Sequence, residues 1–182
     1  MTRINPLTIE TASPAASEIL TAVKSKVGMI PNLYASMAHS PAALSAVLAF
    51  GDAMGKSSLS PALREQLALA IAGTNNCDYC ASAHTAIGKG AGVSQEELAS
   101  NLSGVSNDPK TQAFLTFAQS IVEKRGNLSD EDLQDARAAG ITEAEIVEVV
   151  ATVAINTFTN YFNHIAETEI DFPVVRSSAN AS

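Results

Sequence analysis

Two cysteines, a histidine and a glutamate are spaced for thiol redox chemistry coupled to proton transfer. The segment is Asn75-Asn76-Cys77-Asp78-Tyr79-Cys80-Ala81-Ser82-Ala83-His84. Asn76 suits the cap of a helix that begins at Cys77. On such a helix Cys77, Cys80 and His84 stand at i, i+3 and i+7 and share one face. An i, i+3 cysteine pair closes a disulfide with little backbone movement. The unpaired amides of the first turn favour a thiolate at the helix start, which makes Cys77 the more acidic and more exposed thiol. His84, one turn beyond Cys80, is placed to exchange protons with it. In the preceding segment Leu67–Gly73 carries no polar side chain, which predicts a buried helix. Glu65 lies on the stripe of that helix shared by Ala68, Leu69 and Ala72, where a carboxylate needs a partner or a raised pKa. A tight connection at Asn75-Asn76 brings Glu65 toward His84, and the four residues then form a proton-handling dithiol site.

The spacing Glu65-x11-Cys77-x2-Cys80-x3-His84 resembles the carboxymuconolactone decarboxylase superfamily, and within it the alkylhydroperoxidase D-like group. Gly28-Met29-Ile30-Pro31-Asn32-Leu33 and His39-Ser40-Pro41 resemble the group's segment ahead of this core. The resemblance implies an all-α fold that assembles as a homotrimer, or as a homohexamer of such units. It implies a peroxidase in which Cys80 attacks the hydroperoxide and becomes a sulfenic acid. Cys77 resolves that acid to a disulfide, and Glu65 and His84 relay protons. An external dithiol, from a thioredoxin-like or lipoyl-type protein, then restores the thiols. Tyr79 stands between the cysteines, so a relay through a histidine at that position is absent. Helix-start electrostatics and the resemblance therefore favour different first nucleophiles, Cys77 and Cys80. Both hold if Cys80 meets peroxide in a pocket while Cys77 faces the reductant.

Other readings of these residues stand beside this one. The cysteines also suit a buried apolar pair. Cys77, Cys80 and His84 with His39 or His164 also suit a zinc site, although no second CxxC accompanies them. Glu65 also reads as a surface charge beside Arg64. A lactone decarboxylase or isomerase of the same superfamily needs an acid–base pair but no dithiol. A non-enzymatic thiol sensor on the same fold is a further alternative. There is no GxGxxG or phosphate loop, and no cofactor is expected.

The elements that must position these residues read as helices throughout. Ser13-Pro14, Ser40-Pro41, Ser60-Pro61 and Asp108-Pro109 each put a capping oxygen before a proline that fits the first helical position. Ser94 with Glu97 and Thr142 with Glu145 have capping-box spacing. The predicted helices are 14–26, 41–55, 61–75, 77–88, 95–101, 109–125, 130–138 and 143–168. Residues 29–37 are expected to be a loop with at most one short helical turn. On the last helix Asn156, Asn160, Asn163 and His164 read as a buried polar seam at a subunit interface. The spacing of Glu65, Cys80 and His84 recurs in Glu145, Asn160 and His164, an echo that fits either an internal helical duplication or coincidence. One domain is expected over residues 1–176, with the motif core at 60–92 and a small polar, disordered tail at 177–182.

Composition bounds what this domain does. The 182 residues are 46% hydrophobic and only 16% charged, so part of the surface is expected to be covered by another subunit. The net charge is −8 with eleven scattered Lys and Arg, which disfavours nucleic acid and anionic membrane surfaces as partners. The apolar run Val147–Ile155 is too short to cross a bilayer. The first residues lack the apolar core of a signal peptide, and two close cysteines suit a reducing compartment, so a cytoplasmic location is expected.

Overall fold

A computed structural model describes residues 2–177, which form nine α-helices and no strand among the described residues. The helices are α1 (Pro14–Val27), α2 (Asn32–Met37), α3 (Pro41–Met54), α4 (Pro61–Thr74), α5 (Asp78–Gly90), α6 (Gln95–Asn101), α7 (Pro109–Glu123), α8 (Asp130–Ala138) and α9 (Glu143–Ala166). All four proline-led starts are capped as expected: Ser13, Ser40, Ser60 and Asp108 accept the amides of Ala16, Ala43, Leu63 and Thr111. Thr142 and Glu145 close a full capping box on α9. Ser129 and Asp132 close another on α8, with aspartate in the place of the longer acid. Ser94 forms only half of its predicted box, because the Glu97 carboxylate turns to Asn101 and Ser106 instead.

The segment 29–37 departs from expectation. It contains α2, almost two turns, which begins without a side-chain cap of its own. Its first amides are satisfied from far along the chain. The Asp171 carboxylate accepts from Asn32 N at 2.7 Å, and the Tyr79 hydroxyl accepts from Leu33 N at 3.1 Å. A helix start capped by tertiary contacts leaves no local signature.

Helix α4 is the axis of the fold and packs against α5, α6, α7 and α9. It buries Leu67–Ala72, as the lack of polar residues in that stretch predicted, together with Gln66, whose amide donates to Glu97 Oε1 at 3.3 Å. Leu67, Ala70 and Ile71 meet Phe114, Leu115, Ala118, Val149 and Val153 in one core cluster. Ala72 joins a second cluster, built with Leu20, Leu33, Met37 and Leu44, to which both cysteines belong. Each large apolar side chain buried in this way contributes roughly 1.5–3 kcal/mol. The site therefore sits where the central helix hands over to the second cluster.

The Glu145–Asn160–His164 echo has no counterpart in geometry. Glu65 lies on α4 and Cys80 and His84 on α5, whereas all three echo residues lie on the single helix α9. Of the predicted tail, Ser177 is hydrogen-bonded to Asp78, and residues 178–182 lie outside the described residues.

Candidate active site

The junction of α4 and α5 has no spare residues. Asn76 adopts a left-handed conformation at φ 56°, which asparagine tolerates better than most side chains. This lets Cys77 N donate to Ala72 O at 2.9 Å and Asn76 N to Gly73 O at 3.1 Å, the paired bonds that finish a helix in a sharp reversal. Cys77 is thus both the last residue of that reversal and the cap of α5. Its Sγ accepts the Cys80 amide at 3.5 Å. The cap is therefore Cys77 rather than Asn76, because Asn76 is committed to the turn.

The reversal lays α5 along α4 and brings the predicted acid and base together. His84 Nδ1 donates to Glu65 Oε2 at 2.7 Å, with side-chain exposures of 23% and 17%. Burial works against a charged imidazole, but the Glu65 carboxylate outweighs it and raises the His84 pKa. Arg64 takes no part, since its guanidinium donates to Leu59 O at 2.9 Å.

The two sulfurs differ in kind. Cys80 lines a cavity of about 390 Å³ and Cys77 does not. The cavity wall is mostly carbon, from residues such as Leu33, Val47, Leu48, Ile155 and Phe172, with His84 in the same wall. At its rim Lys26 Nζ and Asp52 Oδ1 form an exposed ion pair at 2.5 Å, of the kind worth little in stability. Cys77 is 1% exposed, so the expectation of an exposed helix-start thiol fails: the second core cluster closes over it. Hydrogen bonding with Cys80, against the cost of burial, lowers the Cys77 pKa. The same neighbour and burial push Cys80 well above the ordinary thiol range. Of the two sulfurs, Cys77, at the amide end of α5, is therefore the one favoured to carry a negative charge.

Helix α9 supplies what the motif did not announce. Asn163 Nδ2 donates to Cys80 Sγ at 3.3 Å. Asn160 Oδ1 accepts from Asn75 Nδ2 at 2.9 Å, and His164 Nε2 donates to Asn76 O at 3.2 Å. The polar seam thus faces the α4–α5 reversal of its own chain. The periodicity of α9 marks this seam but does not say what faces it. The C-terminal segment closes the other side: Phe172 meets Tyr79 edge-on at 5.8 Å, and Arg176 and Ser177 bond to Asp78. His39 is elsewhere, bonded to Asn5 O. Among the described residues no three His, Cys, Asp or Glu side chains cluster as metal ligands.

Residues 41–106, which run from α3 past α6 and hold all four candidate residues, match a family model. It is that of the carboxymuconolactone decarboxylase family. The match covers the residues that carry the sequence resemblance to that family. The fold agrees over nearly the whole chain. It is similar to the alkylhydroperoxidase AhpD core of a peroxidase-related protein from Ralstonia eutropha, with a TM-score of 0.83 and 23% identity, covering 93% of this chain and 92% of that one. A peroxidase-related protein from a Silicibacter species gives 0.77 at 23% identity, with 92% of each chain covered. The debrominase Bmp8, in a variant bound to 2,3,4-tribromopyrrole, gives 0.77 at 19% identity, covering 94% of this chain and 92% of that one. No curated protein sequence matches the chain. At these identities the solved structures establish a shared all-helical fold.

Proposed function

We propose that the protein is a peroxidase that reduces hydroperoxides, chiefly organic ones, through Cys80 and Cys77. The observation that carries this reading is the cavity wall, in which Cys80 and His84 stand together while Cys77 lies behind them. A space of about 390 Å³ with a carbon-rich lining suits an alkyl or aryl hydroperoxide better than a purely aqueous one. The proton on Cys80 passes to Cys77, and the Cys80 sulfur attacks the terminal peroxide oxygen. An S–O bond forms, the O–O bond breaks, and the departing alkoxide takes a proton from the His84–Glu65 pair to leave as the alcohol. Cys77, whose lowered pKa favours the step, gives the proton it took from Cys80 to the His84–Glu65 pair, and its thiolate attacks the Cys80 sulfur. The S–S bond forms, the S–O bond breaks, and the departing hydroxide takes that proton from the pair to leave as water. An external dithiol, thioredoxin-like or lipoyl-type, returns two electrons and two protons.

Further parts of the reading concern assembly and place. Asp52 is the one charged residue of α3, yet of that helix only Leu44 is fully buried. On α9, Val147, Val150, Phe158, Tyr161 and Ile165 form an exposed apolar stripe. A homotrimer or homohexamer covers these faces in this proposal. No helix among the described residues is long and apolar enough to cross a membrane, and a cytoplasmic location is proposed with the dithiol chemistry.

The test is a thiol count. The reduced protein receives one equivalent of cumene hydroperoxide without oxygen, and free thiols and peroxide are followed together. Loss of both thiols with matching peroxide loss, abolished by Cys80→Ser, is the expected result. Survival of both thiols overturns the proposal and favours acid–base chemistry on Glu65 and His84. A sulfenic acid trapped only on Cys77 reverses the order of the two cysteines.

A further inference from the structure

Three asparagines of α9 are buried on one side of the helix, and they are not alike. Asn156 satisfies itself on its own helix by donating to Thr152 O at 2.9 Å. Asn160 and Asn163, 0% and 5% exposed, each keep one polar atom without a partner: Nδ2 of Asn160 and Oδ1 of Asn163. Burying an unpaired donor or acceptor is costly, and such atoms are few in folded proteins. Here two occur one turn apart, and the other end of each amide is bound at the cysteine junction. Asn163 holds Cys80 Sγ, and Asn160 holds the Asn75 side chain just before Cys77.

We infer that Asn163 and Asn160 are both catalytic residues that touch the Cys80 sulfur, together forming an amide cradle for its thiolate and its sulfenic acid. The inference rests on the proposed thiol chemistry for its purpose, but on geometry for its existence. A thiolate at Cys80 is an acceptor, and the Asn163 N–H already points at it. Cys77 and burial oppose that anion, while the amides of Asn163 and Asn160 favour it. No lysine or arginine lines the cavity except Lys26, which is engaged with Asp52 at the rim. His84 in the same wall is engaged with Glu65, so the two amides are the neutral groups able to stabilise charge on this sulfur without placing a second ion in the core. After oxygen transfer the sulfur carries S–O–H, which needs one acceptor and one donor. The two unpaired atoms are one acceptor, Oδ1 of Asn163, and one donor, Nδ2 of Asn160. The cradle thus has a partner for each form of Cys80 in the cycle, which explains why a carbon side chain at either position would not serve.

The test isolates Cys80 in a Cys77→Ser background and follows iodoacetamide alkylation against pH, with no peroxide present. The midpoint is read rather than the rate, because a less acidic thiol is intrinsically more nucleophilic. A hydrogen bond to an anion exceeds one to a neutral acceptor by about tenfold in equilibrium terms, so Asn163→Ala should raise the midpoint by about one pH unit. Asn163→Asp, which keeps the shape and adds repulsion, should raise it further. That near-isosteric variant keeps the comparison available if truncation to alanine prevents folding. Asn160→Ala should shorten the life of the trapped sulfenic acid formed with cumene hydroperoxide. Unchanged midpoints in folded Asn163 variants overturn the cradle. Normal midpoint shifts with no peroxide consumption would instead uphold the cradle and overturn the peroxidase reading.

Discussion

The ion pair between His84 and Glu65 makes a sharp prediction for Glu65→Gln. The two groups meet at 2.7 Å with less than a quarter of either side chain exposed. For unit charges roughly 4 Å apart at an effective dielectric constant of about 20, the attraction is about 4 kcal/mol, an upper figure near 3 pKa units. Carboxylates beside ionisable partners commonly shift them by about 1–3 units. Replacing Glu65 by Gln removes the charge and keeps the shape. What remains is burial, which disfavours the charged ring. The His84 pKa should therefore fall by about 1–3 units. It should pass from above to below its unfolded value of about 6.5.

The assay is a proton NMR titration of the imidazole Cε1–H signals. The chain has three histidines, so a His84→Asn variant identifies the signal in question. The stability of the fold should report the same change with opposite signs. In the parent, a raised folded pKa gives a contribution fully present below about pH 6.5 that is lost as pH rises through the folded pKa. In Glu65→Gln, a lowered folded pKa means the unfolded chain binds more protons, so stability rises with pH toward about 6.5. A His84 midpoint that does not move in a folded Glu65→Gln protein would refute the electrostatic reasoning, and the proposed proton relay with it.

Two other outcomes follow from the packing. A Cβ added at Gly73 would stand 1.8 Å from the Leu102 carbonyl oxygen and 2.9 Å from its carbon, both backbone atoms. Gly73→Ala should gain about 1 kcal/mol of helix propensity and lose more than that to overpacking, so its urea midpoint should drop; an equal or higher midpoint would contradict the close approach of α4 to the end of α6. The uncovered apolar faces of α3 and α9 predict self-association, and sedimentation at micromolar concentration should find an assembly rather than a stable monomer.

Much of this molecule is written locally in the sequence. Capping oxygens before prolines place four helix starts, and apart from α2 the predicted helix bounds lie within two residues of those observed. The unbroken apolar run of α4 marks the central helix, and the spacing from Glu65 to His84 anticipates their bond across the reversal. These features depend on bonds between residues three to five apart, or on two helices joined by a fixed short turn, so neighbouring side chains suffice to specify them. What tertiary structure alone decided involves partners far apart in the chain. The amides that start α2 are satisfied by Tyr79 and Asp171, 46 and 139 residues away. Cys77 is covered rather than exposed because it belongs to the second core cluster, which gathers Leu20, Leu33, Met37 and Leu44 from elsewhere in the chain. Asn163 reaches Cys80 across 83 residues, and this contact turns a seam suited to an interface into the far wall of the site. Helical periodicity says that a face of α9 is polar and buried. Which groups meet it depends on how α9 packs against α5, and that is set by the whole core rather than by any stretch of sequence.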